Sequence, residues 1–78
     1  MEPPSQLDLR ERAIVVALKN ERVAQGVSAN ALSAKILVDR STITHMEGDR
    51  TRPTLWLLLK IADGLGVKLS SILADAGC

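Results

Sequence analysis

Two segments, residues 29–36 and 40–47, each follow a capping residue and lie only three residues apart. Ser28 precedes the first and Asp39 the second. Side chains of this kind accept hydrogen bonds from the free N–H groups of a first helical turn. A helix of about two turns is marginal in water by itself. Each segment must therefore bury one face against the rest of the chain. Three residues leave no room for a strand or a long crossover between them. The sequence is thus committed to two short helices joined by a tight turn and held over a common core.

The remaining sequence reads as further helices. Asp8 opens one, and Glu11 three residues later completes a capping box. This helix is expected over residues 9–25 and stops at Gly26. Ile14, Ala17 and Leu18 share one face of it, with Glu21 on the same side beside Arg22. Val16 and Val23 lie opposite, so its amphipathy is weak. In the short pair, Leu32 and Ile36 form one buried stripe, and Ile43 and Met46 the other. Residues 48–53 have loop composition. Thr54 caps a helix over 55–65, closed by Gly66, with Leu55, Leu58, Ala62 and Leu65 expected on its core face. A last helix over 69–74 carries Ile72 and Leu73. No strand alternation and no internal repeat appears. The expectation is an all-α fold, a compact five-helix bundle. Residues 1–8 form a loose arm, and 9–76 a single domain with the paired helices at 29–47.

Composition narrows the function. A chain of 78 residues has room for one domain. Its hydrophobic content of 46% is ample for a core. Its aromatic content of 1% excludes a stacking platform for single-stranded nucleic acid, which needs several rings. One Cys, at position 78, permits no disulfide within the chain and reads as an unconstrained terminal thiol. With a single His as well, no metal site and no cofactor are expected. No apolar run approaches the roughly 20 residues of a membrane span, and Met1-Glu2-Pro3-Pro4-Ser5 does not resemble a signal peptide. A cytoplasmic location without a membrane partner is the expectation. The net charge of +1 is too small for bulk polyanion binding, so any nucleic-acid contact must depend on local placement.

The second short helix supplies such placement. A helix that enters the major groove of duplex DNA must bury one narrow stripe and present small, hydrogen-bonding side chains elsewhere. Arg40, Ser41, Thr44 and His45 meet this requirement, and none is acidic. Arg40 is a cation at a helix N-terminus, which the helix dipole disfavours. Its presence there points to a contact outside the chain. The plainer alternative is ordinary solvated surface, for Arg40 as for Ser41, Thr44 and His45.

From Leu18 to Leu73 the chain resembles the XRE/Cro-type helix-turn-helix domain of phage repressors and their bacterial relatives. The resemblance is carried by Leu18, Arg22, Gly26-Val27-Ser28, Leu32 and Val38. It continues through Arg40-Ser41-Thr42-Ile43 to Glu47, then Pro53, Leu55, Lys60-Ile61-Ala62 and Leu65-Gly66-Val67. It implies a DNA-binding regulator in which Arg40, Ser41, Thr44 and His45 read bases. Phosphate contacts would fall on Ala29 and Asn30, on Thr42, and on Arg50, Thr51 and Arg52 of the following loop. Arg22 and Glu47 fall where several relatives form a semi-buried ion pair. This sequence departs from the family at four places. Ala29 replaces a common Gln, which removes a side-chain phosphate contact. Leu37 stands where the turn usually has Gly; a non-Gly residue at a left-handed position costs roughly 1 kcal/mol or more, so the turn is expected to deviate. The loop has Gly48-Asp49 where the Gly usually comes one residue later, and Lys68 replaces the Ser or Thr that caps the last helix.

One eight-residue reading helix covers few base pairs, so a homodimer on a palindromic operator is expected, with recognition helices roughly 34 Å apart. Trp56 falls with Lys60 and Asp63 on a polar helical face. A second chain or the arm at residues 1–7 would cover it, or it stands as a lone exposed ring. The first option makes Trp56, Lys60, Asp63, Val67 and Leu69 the candidate dimer interface. The competing function is a protein-interaction module or antitoxin, favoured by Val16 and Val23 and by the near-neutral charge. No nucleophile–base constellation supports an enzyme, and no small-molecule ligand is evident.

Overall fold

In the computed structural model, which describes residues 9–78, five helices follow one another. They are α1 (Leu9–Ala24), α2 (Ala29–Ile36), α3 (Arg40–Glu47), α4 (Leu55–Leu65) and α5 (Leu69–Asp75). The described residues contain no strand. The expected arm, the Asp8 cap and any cover of Trp56 by the arm lie outside the described residues.

Local chemistry sets the boundaries. The Ser28 Oγ accepts from the Ala31 N–H, and the Thr54 Oγ1 from the Leu57 N–H. Gly26 and Gly66 end α1 and α4 at φ +71° and +70°, a region where an L side chain is strained. The tight turn does not deviate: Leu37 takes φ 57°, ψ 42°, and its N–H meets the Ser33 carbonyl. Asp49 takes φ 60° at the end of α3, while Gly48 before it is unstrained at φ −91°. The left-handed position thus sits one residue beyond the glycine. Lys68 makes no side-chain cap, so α5 begins without one.

The core is formed by Val15 and Leu18 of α1, Leu32 and Ile36 of α2, Ile43 and Met46 of α3, and the inner face of α4, with Ile72 of α5. Helix α2 packs against α3 and α4, and α1 packs against α3, α4 and α5. Leu58, Ala62 and Leu65 are buried on α4 as expected. Leu55 is not: it is 66% exposed, and Leu57 and Ile61 take the core positions instead. Helix α4 is apolar almost all round, so periodicity alone does not select its buried stripe. Gly64 marks the closest approach of α4 to α2. A Cβ there would lie 2.5 Å from Ile36 Cγ2 and 2.9 Å from Leu32 Cδ1.

Candidate nucleic-acid interface

Helix α3 is divided sharply. Ile43 and Met46 are fully buried, whereas Arg40, Ser41, Thr42, Thr44 and His45 are exposed. Its N-terminus is capped by Asp39, whose carboxylate accepts from the Ser41 N–H at 3.4 Å. The Thr44 hydroxyl donates back to the Ser41 carbonyl at 3.2 Å. That bond fixes the rotamer and leaves the oxygen free to accept from a base or phosphate. Beside α3, the first turn of α2 presents Asn30 to solvent, while the Ala29 side chain packs against the core. First-turn N–H groups have no partner within their own helix. Any phosphate contact at Ala29 therefore falls to its backbone.

The orientation of α3 is fixed at its C-terminal end. Arg22 Nε and Nη2 donate to the two carboxylate oxygens of Glu47, each at 2.9 Å. Arg22 Nη1 donates to the Val27 carbonyl at 2.8 Å. The two side chains are only 12% and 10% exposed. The hydrogen bond to Glu47, aided by its charge, raises the Arg22 pKa above its already high ordinary value against the opposing effect of burial. This fork ties α1 to α3 with two-point geometry that a lysine would not reproduce.

The loop after α3 exposes Arg50, Thr51 and Arg52. It carries two ion pairs that sequence reasoning missed. Arg52 Nη2 donates to Glu11 Oε1 at 2.7 Å, and Arg12 pairs with Asp49. The partners are separated by 41 and 37 residues, so no local pattern announces them.

On α4, Trp56 is 58% exposed, with Lys60 Nζ 5.8 Å from its ring centroid. Asp63 is exposed, whereas Val67 and Leu69 are half-buried against the protein's own core. Leu55 and Leu59, which sequence reasoning did not place here, add exposed apolar surface to the same helix. Among the described residues no group of three or more His, Cys, Asp or Glu is placed to hold a metal ion. None of the described helices is long and apolar enough to cross a membrane.

Two short helices at a tight turn, the second exposing a donor-rich face, define a DNA-binding transcriptional regulator of the helix-turn-helix class. The helix-turn-helix family model matches residues 18–72, and the chain belongs to this XRE/Cro-type family. Among solved structures, the clp gene regulator ClgR from Corynebacterium glutamicum is 26% identical, with 92% of each chain covered and a TM-score of 0.79. The wild-type restriction–modification controller protein C.Esp1396I shares the fold at 23% identity, covering 91% of this chain and 94% of that one, with a TM-score of 0.78. The C.Esp1396I tetramer in complex with its natural 35 base-pair operator gives 21% identity, 94% and 100% coverage, and a TM-score of 0.76. No curated protein matches the chain in sequence.

Proposed function

We propose that the chain is a sequence-specific regulator that binds a palindromic operator as a homodimer, with α3 of each protomer in successive major grooves. The observation that carries this reading is the division of α3. Two residues anchor it, and its outward face is donor-bearing and free of acid up to Glu47, which Arg22 neutralises. In this reading Arg40, Ser41, Thr44 and His45 contact base edges. Asn30, Thr42, Arg50, Thr51, Arg52 and the backbone at Ala29 follow phosphates. The protein works without a cofactor and is not an enzyme; His45 serves as a donor rather than a catalytic base. C.Esp1396I engages its operator as a tetramer, so a relative of this fold assembles on DNA.

The dimer seam must leave α3 clear. The exposed apolar side chains of α4, Leu55, Trp56 and Leu59, make it the natural seam, with Lys60 and Asp63 at the rim. A second reading, contact with a partner protein through α1, is favoured by Val16 at 46% and Val23 at 60% exposure. Selection from a pool of random duplexes separates the two. The regulator enriches two inverted half-sites whose centres lie about one helical turn apart, and binding weakens steeply with salt. A pool that stays unenriched, with no retention on heparin at low salt, contradicts the DNA reading and favours the partner protein.

A further inference from the structure

The turn between α2 and α3 holds Leu37 at φ 57°, ψ 42°, and leaves it 91% exposed. An exposed leucine is ordinary in itself, and Leu55 and Leu59 stand on helical backbone that suits leucine. Leu37 differs because its backbone lies in the left-handed region, where a side chain crowds the chain and glycine alone is at ease. Among the described residues the other non-glycine with positive φ is Asp49, whose short polar side chain tolerates it. Packing does not offset the strain: Val38 turns in against the core, and Leu37 is left outside. The turn itself is closed by backbone bonds, since the N–H groups of Leu37 and Val38 both meet the Ser33 carbonyl. Those bonds need no leucine side chain. A strained position that the fold does not compensate points to a contact outside the chain.

Leu37 lies three residues ahead of Arg40, at the N-terminal end of α3. In a helix-turn-helix the N-terminal residues of the second helix meet base edges, while the first helix crosses the backbone. The turn joins those two places. The apolar group that duplex DNA offers in the major groove is the C5-methyl of thymine. We propose that Leu37 packs on a thymine methyl in each half-site and adds an apolar preference to the polar reading by α3. The inference rests on the DNA-binding reading above and adds Leu37 to its machinery. Arg40, Ser41, Thr44 and His45 meet hydrogen-bonding groups, whereas Leu37 meets a group that forms no hydrogen bond. Contact removes the leucine end and the methyl from water together. Leucine carries no charge and releases no counterion, so the preference it adds does not depend on salt.

Uracil in place of thymine removes the methyl group and nothing else, so it isolates this contact. Fluorescence anisotropy on the selected operator, with each thymine of one half-site replaced in turn, tests it with wild type, Leu37→Gly and Leu37→Asn. Both replacements suit the left-handed backbone, and both variants should melt at or above the wild-type temperature. The wild type is expected to lose roughly three- to fivefold at one thymine, the scale of burying one methyl group. Both variants are expected to bind the unmodified operator about tenfold more weakly, because two half-sites lose the contact, and to be indifferent to uracil at that thymine. Their salt slopes should equal that of the wild type. If no thymine shows a uracil penalty that both variants lose, the contact is overturned while the DNA reading stands. Variants that melt below the wild type also overturn it, because Leu37 would then serve the fold. A wild type that binds no duplex overturns this contact and the DNA reading together.

Discussion

Glu47 accepts two hydrogen bonds from a guanidinium that is itself held by the Val27 carbonyl, in a setting almost closed to water. Removing the carboxylate leaves Arg22 charged and largely desolvated. An arginine's ordinary pKa lies so far above neutrality that the stranded guanidinium does not escape by neutralisation, even though the carboxylate that raised it further is gone. Glu47→Ala should therefore destabilise the fold by about 3 kcal/mol, against about 0–1 for an exposed pair. A urea midpoint equal to that of the wild type would show the two charges to be independent. Leu37 presents the opposite case. It is 91% exposed in the left-handed region and gains little from packing to offset its strain. Leu37→Gly releases that strain and adds freedom to the unfolded chain, with a net gain of roughly 0.5–1 kcal/mol. A lower midpoint for Leu37→Gly in the same denaturation would show that the leucine makes a stabilising contact.

Helix α3 is placed by α2, and α2 is seated on α4 at Gly64. Alanine is a better helix former than glycine by about 1 kcal/mol. Its methyl group would nonetheless push into Ile36 and Leu32, both fixed in the core. Overpacking wins, and Gly64→Ala should cost about 1–2 kcal/mol net. A thermal melt at or above the wild-type temperature would contradict the close approach. The sequence disclosed such elements unevenly. Caps at Ser28, Asp39 and Thr54 and stops at Gly26 and Gly66 are local hydrogen-bond chemistry, and they located the helices to within a residue or so. The outward face of α3 was legible for the same reason, since Ile43 and Met46 fix its rotation. The buried stripe of α4 was not legible, because leucines occupy nearly every side of it, and Leu55 was misplaced. Val15 and Gly64 were missed because their burial depends on which helix lies opposite. The pairs Arg52–Glu11 and Arg12–Asp49 depend on the same tertiary information.

For the whole molecule the account requires two copies. Trp56 lies on α4 with Leu55 and Leu59, an apolar surface larger than a lone exposed ring. Tryptophan at the centre of an interface commonly carries much of its binding energy. Trp56→Ala should weaken self-association by roughly tenfold or more, the effect of about 1.4 kcal/mol, while helix content stays unchanged. Sedimentation equilibrium decides this. A monomeric wild type at high micromolar concentration, or a variant that dimerises equally well, removes α4 as the seam. In the proposed mode of binding a dimer only multiplies what α3 of one protomer reads, so the central claim is tested at Arg40. The measurement is the affinity of wild type and Arg40→Ala for the selected operator and for operators changed at single base pairs. The account predicts a loss of about 1–3 kcal/mol on the selected operator and a relaxed preference at one position in each half-site. Equal affinity of the two proteins for the selected operator, with every base preference retained, would contradict it.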